Sequence, residues 1–413
     1  MNRVEIDSVP ALTDLLARPP VDWSGISLQD LDLTGDPEVA ERLRRTVTPG
    51  LVVLGGRYPP EVLDGLAEGG AVVLPENPAI PFEPYRAGLY LADELYAGLG
   101  DGYQATFDKR CYDWYLAHTS VADSRADLDV AAAVFAAIHD ASISDAFDEL
   151  LRTDPRQVVA VMGGHGLARG TDGYAEAAEL GKTLAQAGYL VATGGGPGAM
   201  EAVNLGAFVA GRTAPADTDT ALRTALDRLA TVPDFTDISR WATVARQVRD
   251  ALPDKPDAGG QATVAGIGVP TWFYGHEPPN LFADRIAKYF ANAIREDILL
   301  ARASAGVLVL PGAAGTVQEI FQAATRSFYA TSAPPIVLLD GNYWRDQLPA
   351  WQLLSALAAT SAGEMSSRVA ICDGTDQALQ HLSSSGATSA GSPAATPTTE
   401  TGTANDSGKD AER

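Results

Sequence analysis

Two glycine-rich turns hold the residues whose types and spacing suit chemistry. The first, ATGGGPGAMEAVNLGA (residues 192–207), follows an apolar run and opens a helix-like one. Gly194, Gly195 and Gly196 let the backbone approach a ligand closely. Pro197 suits a first helical turn, so the N–H groups after it point into a crevice at the carboxyl end of the preceding strand. The second, VLPGAAGTVQEIFQAA (residues 309–324), repeats the arrangement with Gly312, Ala313, Ala314 and Gly315 in the turn. Thr316 to Glu319 spells T-x-x-E, which reads structurally as a capping box. Helical geometry offers a second reading. Val317, Ile320, Phe321, Ala324 and Phe328 form one buried stripe and leave Glu319 on the other side of the first turn. The N–H groups of Gly315 and Thr316, with the Thr316 hydroxyl, then make an anion seat suited to a phosphate, with Glu319 facing whatever is held there. The first turn is neither a Walker A loop nor the GxGxxG dinucleotide fingerprint.

The elements that position these turns alternate along residues 155–382. Strand-like runs occupy 157–162, 189–193, 262–269, 306–310, 335–339 and 368–372, and helical patterns occupy 172–188, 282–303, 316–329 and 347–359. Apolar strands alternating with amphipathic helices predict an α/β fold, a doubly wound Rossmann-like parallel sheet covered on both faces. A polar helical stretch at about 211–260 reads as an insertion, either a lid or an oligomer contact. Residues 1–154 form a smaller mixed α/β region. Its strands are expected at 51–56 and 71–75 around a helix at 60–67, and further helices at 87–99, 110–118, 127–138 and 144–152. Residues 383–413 contain no aromatic residue and almost nothing apolar larger than Ala, a composition that predicts a disordered tail.

The 413 residues include 53 Asp plus Glu and 30 Lys plus Arg, a formal net charge of −23. That balance argues against a nucleic-acid partner, which needs clustered cations. It leaves room for a small anion held by local dipoles. Two cysteines, Cys111 and Cys372, are too few for a disulfide framework or a thiolate metal site, and no histidine pair has metal-ligand spacing. The start of the chain lacks the pattern of a signal peptide, and no window approaches the roughly 20 apolar residues of a membrane span. The expectation is a soluble, cytoplasmic protein with no membrane partner.

GGGPGAMEA followed by PGAAGTVQE resembles the paired GGGxxGxM and PGGxGTxxE motifs of the lysine decarboxylase-like, or LOG (Lonely Guy), family of Rossmann-fold nucleotide-binding proteins. That family includes phosphoribohydrolases and nucleotide 5′-monophosphate nucleosidases. The resemblance covers residues 157–382. It implies hydrolysis of the N-glycosidic bond of a nucleoside 5′-monophosphate to free base and ribose 5-phosphate, in a homodimer or larger assembly, with no metal and no organic cofactor. It further implies that Gly312, Gly315 and Thr316 hold the 5′-phosphate, and that Gly194, Gly195, Gly196, Gly198 and Glu201 line the ribose and phosphate floor. Glu319 matches the family's catalytic glutamate. The family's catalytic arginine falls 23 residues before that glutamate, where this chain has Glu296, and the adjacent Arg295 is the candidate to replace it. Ala313 stands at the family's second glycine. In the GGHG turn (residues 163–166), the resemblance brings Gly164 and His165 near the ligand, although His165 reads equally as a loop histidine satisfied by backbone. WFYGHEPPN (residues 272–280) supplies Tyr274, His276, Glu277 and Asn280, either as base-stacking groups or as a packed loop. His118 and His139 read as structural. A non-catalytic nucleotide-binding module and glycine turns that serve packing alone stand as competing readings.

Overall fold

The computed structural model describes residues 4–18, 22–46, 48–119, 129–252, 264–275, 277–361 and 364–386. Two parallel sheets organise them. The first contains β1 (Val4–Ile6), β2 (Ile26–Gln29), β3 (Val52–Leu54) and β4 (Val72–Leu74) in sequential order. Helices Val9–Leu16, Pro37–Arg44 and Pro60–Glu68 alternate with these strands, and together they enclose a separate apolar core around Leu12, Leu28, Leu43, Val53 and Leu66.

The second sheet has seven strands. They are β5 (Val158–Met162), β6 (Leu190–Thr193), β7 (Gly266–Gly268), β8 (Arg285–Ile286), β9 (Gly306–Val309), β10 (Ile336–Leu339) and β11 (Val369–Cys372). Every pairing is parallel and the order is β11-β10-β9-β5-β6-β7-β8. The chain starts at β5, winds outward to β8, then crosses back to lay β9 on the other side of β5. Strand order therefore reverses between β5 and β9, the position at which open α/β sheets form a ligand crevice beyond the strand ends. All residues of β5, β6 and β9 are buried, as expected of strands covered on both faces. Helices Asp172–Gln186 and Ala199–Arg212 cross in near-backbone contact. A Cβ on Gly206 would stand 1.8 Å from the Ala178 carbonyl oxygen, and one on Gly181 would stand 1.9 Å from that of Val203. That approach buries almost all of helix Ala199–Arg212.

Several sequence expectations change. The pattern at 282–303 yields a helix only at Asn292–Arg302. Before it, β8 pairs with β7, and the Asp140 carboxylate accepts the N–H groups of Phe290 and Ala291 at 2.9 Å each. Those distant partners override the local helical periodicity. The helix expected at 87–99 shrinks to Ala92–Leu95, because Tyr90 exchanges backbone hydrogen bonds with Ile286 (3.0 and 2.8 Å). The two helices expected between 127 and 152 are one, Val130–Thr153. β1, β2 and β8 are strands that periodicity alone does not reveal. Helix Thr375–Gly386 continues past 383, where the tail is expected to begin, and the rest of that expectation, residues 387–413, lies outside the described set. In the insertion, helices Thr218–Leu229 and Ile238–Asp250 form as expected, and residues 253–263 lie outside the described set.

Helix Val130–Thr153 is also the one described helix with the length and hydropathy (1.3) of a membrane span. It buries Ala136, His139, Asp140, Ile143 and Phe147, and apolar ones among these join the core of the seven-stranded sheet. Segment 82–115, which the sequence reading groups with the N-terminal region, places Tyr90, Leu95, Tyr96, Cys111 and Tyr115 in the same core.

Candidate functional site

A cleft of about 660 Å³ opens at the carboxyl ends of β5, β6, β7, β9 and β10, astride the β5/β9 switch point. Its walls come from the turns that follow those strands. Gly163, Gly164 and His165 come from β5, Gly194 and Gly196 from β6, Pro270, Tyr274 and Glu277 from the segment after β7, Pro311, Gly312, Ala313, Gly315 and Thr316 from β9, and Tyr343 from β10. Arg295, Glu296 and Glu319 complete it from helices Asn292–Arg302 and Ala314–Tyr329.

Helix Ala314–Tyr329 starts three residues earlier than the capping-box reading requires. Its N-cap is Ala313, without a side-chain cap, and its first intrahelical bond runs from the Val317 N–H to the Ala313 carbonyl at 3.0 Å. Thr316 thus lies inside the first turn, and no capping box forms around Thr316 and Glu319. The N–H groups of Ala314, Gly315 and Thr316 have no partner within the helix, as at any helix start. They sit at the positive end of a 16-residue helix that borders the cleft. A Cβ on Gly315 would meet nothing within 4 Å, whereas one on Gly312 would stand 2.2 Å from Thr316 Oγ1. Gly312 therefore lets the turn fold down over Thr316. Tyr343 donates its hydroxyl to the Gly312 carbonyl at 2.8 Å and ties the turn to the β10 segment.

Arg295 and Glu319 meet. Arg295 Nη1 donates to Glu319 Oε1 at 3.0 Å, Nε to the Val269 carbonyl at 2.7 Å and Nη2 to the Gly194 carbonyl at 3.2 Å. The guanidinium lies so close to the β6 turn that a Cβ on Gly194 would stand 2.2 Å from Nη2. The Glu319 side chain is 12% exposed. Burial pushes its carboxyl above the ordinary glutamate range. Arg295 opposes that rise, while Glu296 and Glu277 add to it. Glu296 occupies the position at which the family arginine is expected. Its carboxylate accepts from Asn292 Nδ2 and Gln318 Nε2, both at 2.7 Å, and it also faces the cleft. The one-residue displacement leaves the arginine head within reach of Glu319 because Arg295 is long and its guanidinium is held by two backbone carbonyls.

The remaining candidates separate clearly. Gly164 and His165 reach the cleft, and His165 Nδ1 lies 2.9 Å from Glu277 Oε1. Gly195 and Gly198 do not line it. They adopt φ of +74° and +72°, and a Cβ at Gly198 would stand 2.5 Å from the His165 carbonyl oxygen, so they shape the floor from below. Glu201 is corrected from ligand binding to structure. Fully buried, it forms a two-pronged ion pair with Arg169 (3.0 Å to Nε and 2.5 Å to Nη2), and its helix turns that face into the protein. Arg169 also donates to the Trp241 carbonyl at 3.2 Å and lies 4.6 Å from that ring centroid, which binds the helical insertion to the domain.

Of the WFYGHEPPN segment, Tyr274 and Glu277 line the cleft, and His276 lies outside the described residues. Asn280 is buried below, where its Nδ2 bridges the Gly196 carbonyl and Asn204 Oδ1. His118 bonds the Trp114 carbonyl, and His139 lies buried between Tyr90 and Asp140. Met200, Glu296 and Tyr343 are cleft residues that the sequence reading missed. Met200 stands within the quoted first motif, and the other two have no local signal. Among the described residues, no lysine lines the cleft and no group of three or more His, Cys, Asp or Glu is set to hold a metal ion.

Residues 253–382 match the family model described as possible lysine decarboxylase, and residues 156–214 match that of the SLOG cluster4 family. No curated protein matches the sequence significantly. Among solved structures, the chain is similar to the molybdenum cofactor binding protein from Rippkaea orientalis, with 17% identity and a TM-score of 0.33 over 55% of this chain and 96% of that one. It is also similar to the molybdenum cofactor carrier protein from Chlamydomonas reinhardtii (18%, 0.34, over 56% and 99%) and to TM1055 (21%, 0.34, over 55% and 99%).

Proposed function

We propose that this chain, whose residues 253–382 and 156–214 match the possible lysine decarboxylase and SLOG cluster4 family models, hydrolyses the N-glycosidic bond of a nucleoside 5′-monophosphate, releasing the base and ribose 5-phosphate. The observation that carries the reading is the Arg295–Glu319 pair, 3.0 Å apart, in the same cleft as a helix N-terminus with unused N–H groups.

In this reading the phosphate sits on the N–H groups of Gly315 and Thr316 and the Thr316 hydroxyl, and its binding energy orients the ribose over the Gly194–Gly196 turn. Cleavage of C1′–N passes through an oxocarbenium-like state, positive at the sugar. The Glu319 carboxylate stabilises that charge and takes a proton from the attacking water, the role carboxylates play in glycoside hydrolysis. Arg295 holds the carboxylate in place and favours its ionised form against the effect of burial.

The test incubates the protein with AMP, GMP, CMP and UMP and measures ribose 5-phosphate. Glu319→Gln abolishes turnover while a ligand-induced rise in melting temperature survives. Near-normal turnover in that variant removes the mechanism. A wild type that binds one of the four and cleaves none is instead a non-catalytic nucleotide-binding module.

A further inference from the structure

One piece of chemistry in the cleft has no role in that mechanism, an imidazole–carboxylate pair. His165, in the turn after β5, presents Nδ1 to Glu277 Oε1 at 2.9 Å, and both residues line the cleft that Glu319 enters. The pair and the catalytic carboxylate stand at opposite ends of one turn. Glu277 Oε2 is 3.5 Å from where a Cβ on Gly196 would lie, while the Arg295 guanidinium that holds Glu319 abuts Gly194. The His165 side chain is 51% exposed, and its ring packs edge-on against Phe235 of the helical insertion, with centroids 6.3 Å apart.

A carboxylate on Nδ1 sets the orientation of an imidazole, so that Nε2 is the ring nitrogen directed away from the pair. Scission of an N-glycosidic bond needs a proton donor, because the departing base keeps the bonding electron pair. We propose that His165, oriented by Glu277, is the general acid that protonates the leaving nucleobase. The proposal rests on the hydrolase reading above. As C1′–N breaks, its electron pair goes to the base. The proton on His165 Nε2 goes to a base nitrogen, N7 in a purine. The water oxygen bonds to C1′, and its proton goes to Glu319. Proton exchange with solvent restores Glu319 and His165, so water is the one reactant consumed. Glu277 is a positioning residue.

The test compares wild type, His165→Ala and His165→Gln on a purine nucleoside 5′-monophosphate and on 4-nitrophenyl ribofuranoside 5-phosphate, whose leaving group departs without protonation. Both variants lose about 100-fold or more in kcat on the nucleotide but less than about tenfold on the nitrophenyl substrate. Glu277→Gln shows the same split with a smaller loss. Equal losses on both substrates, or none on the nucleotide, overturn the acid role and leave the hydrolase reading standing. A wild type that releases neither leaving group overturns the hydrolase reading itself.

Discussion

Gly194→Ala perturbs chiefly the positioning of Arg295. Gly194 does not need the left-handed backbone region, so alanine is compatible with the local chain and its effect comes from the added methyl group alone. That Cβ would stand 2.2 Å from Arg295 Nη2 and 2.7 Å from Met200 Sδ. The guanidinium would then lie about 1.2 Å inside ordinary contact, and a shift of that size at a reacting group costs on the order of 100-fold in rate. Met200 is flexible and yields. Arg295 cannot move freely, because Nε is committed to the Val269 carbonyl and Nη2 to that of Gly194. Losing one such charged hydrogen bond costs about 1.5–3 kcal/mol, which agrees with a rate loss of one to two orders of magnitude. The assay is kcat for ribose 5-phosphate release, with the Michaelis constant and melting temperature measured alongside. The expected variant folds, binds nucleotide through the intact seat around Thr316, and turns over about 100-fold more slowly. Wild-type kcat in this variant would refute the claim that Arg295 must sit where it does.

Two further outcomes follow from charges in and behind the cleft. In the proposed mechanism Glu319 acts as the carboxylate, and burial raises its pKa, so activity is expected to fall on the acid side at a higher pH than an ordinary glutamate would give. Arg295, Glu296 and Glu277 are the charged groups that set its value. Glu296→Gln removes one negative neighbour and shifts the acid limb of the kcat/KM profile to lower pH, and an unmoved limb would contradict the assignment of that limb to Glu319. Behind the cleft, Arg169→Met strands the buried Glu201 carboxylate and lowers stability by about 3–5 kcal/mol in urea unfolding. Arg169→Met with Glu201→Leu recovers a large part of that loss, and a double variant no better than the single one would show that the pair matters for packing instead.

Much of the lining of the candidate cleft is legible in the sequence, and the reason is local. A β-branched run closed by glycines and followed by helical periodicity states strand, turn and helix in a few consecutive residues. The turns at 194–198 and 312–316 are of this kind, and the α/β alternation that carries them gave the doubly wound sheet. Glu319 could be placed off the buried stripe from helix geometry alone. The capping-box spelling at Thr316 misled for the same reason that local signals help. It describes a short-range option, whereas in the fold the helix begins at Ala314 and Thr316 lies inside its first turn.

What required the folded molecule was every statement about a partner far along the chain. Glu201 reads as a floor residue next to Gly198 until Arg169, 32 residues away, is seen to neutralise it. Arg295 reads as misplaced by one position until the carbonyls of Gly194 and Val269 are seen to steer its head toward Glu319. The same holds for 282–291, whose helical pattern yields to pairing with β7 and to Asp140, and for His165 facing Glu277. Backbone propensities act over a few residues, whereas a side chain's role depends on which charge or carbonyl the packing brings within about 3 Å. The chain's local spelling therefore sets where its turns open, and the assembled core decides which side chains face the opening.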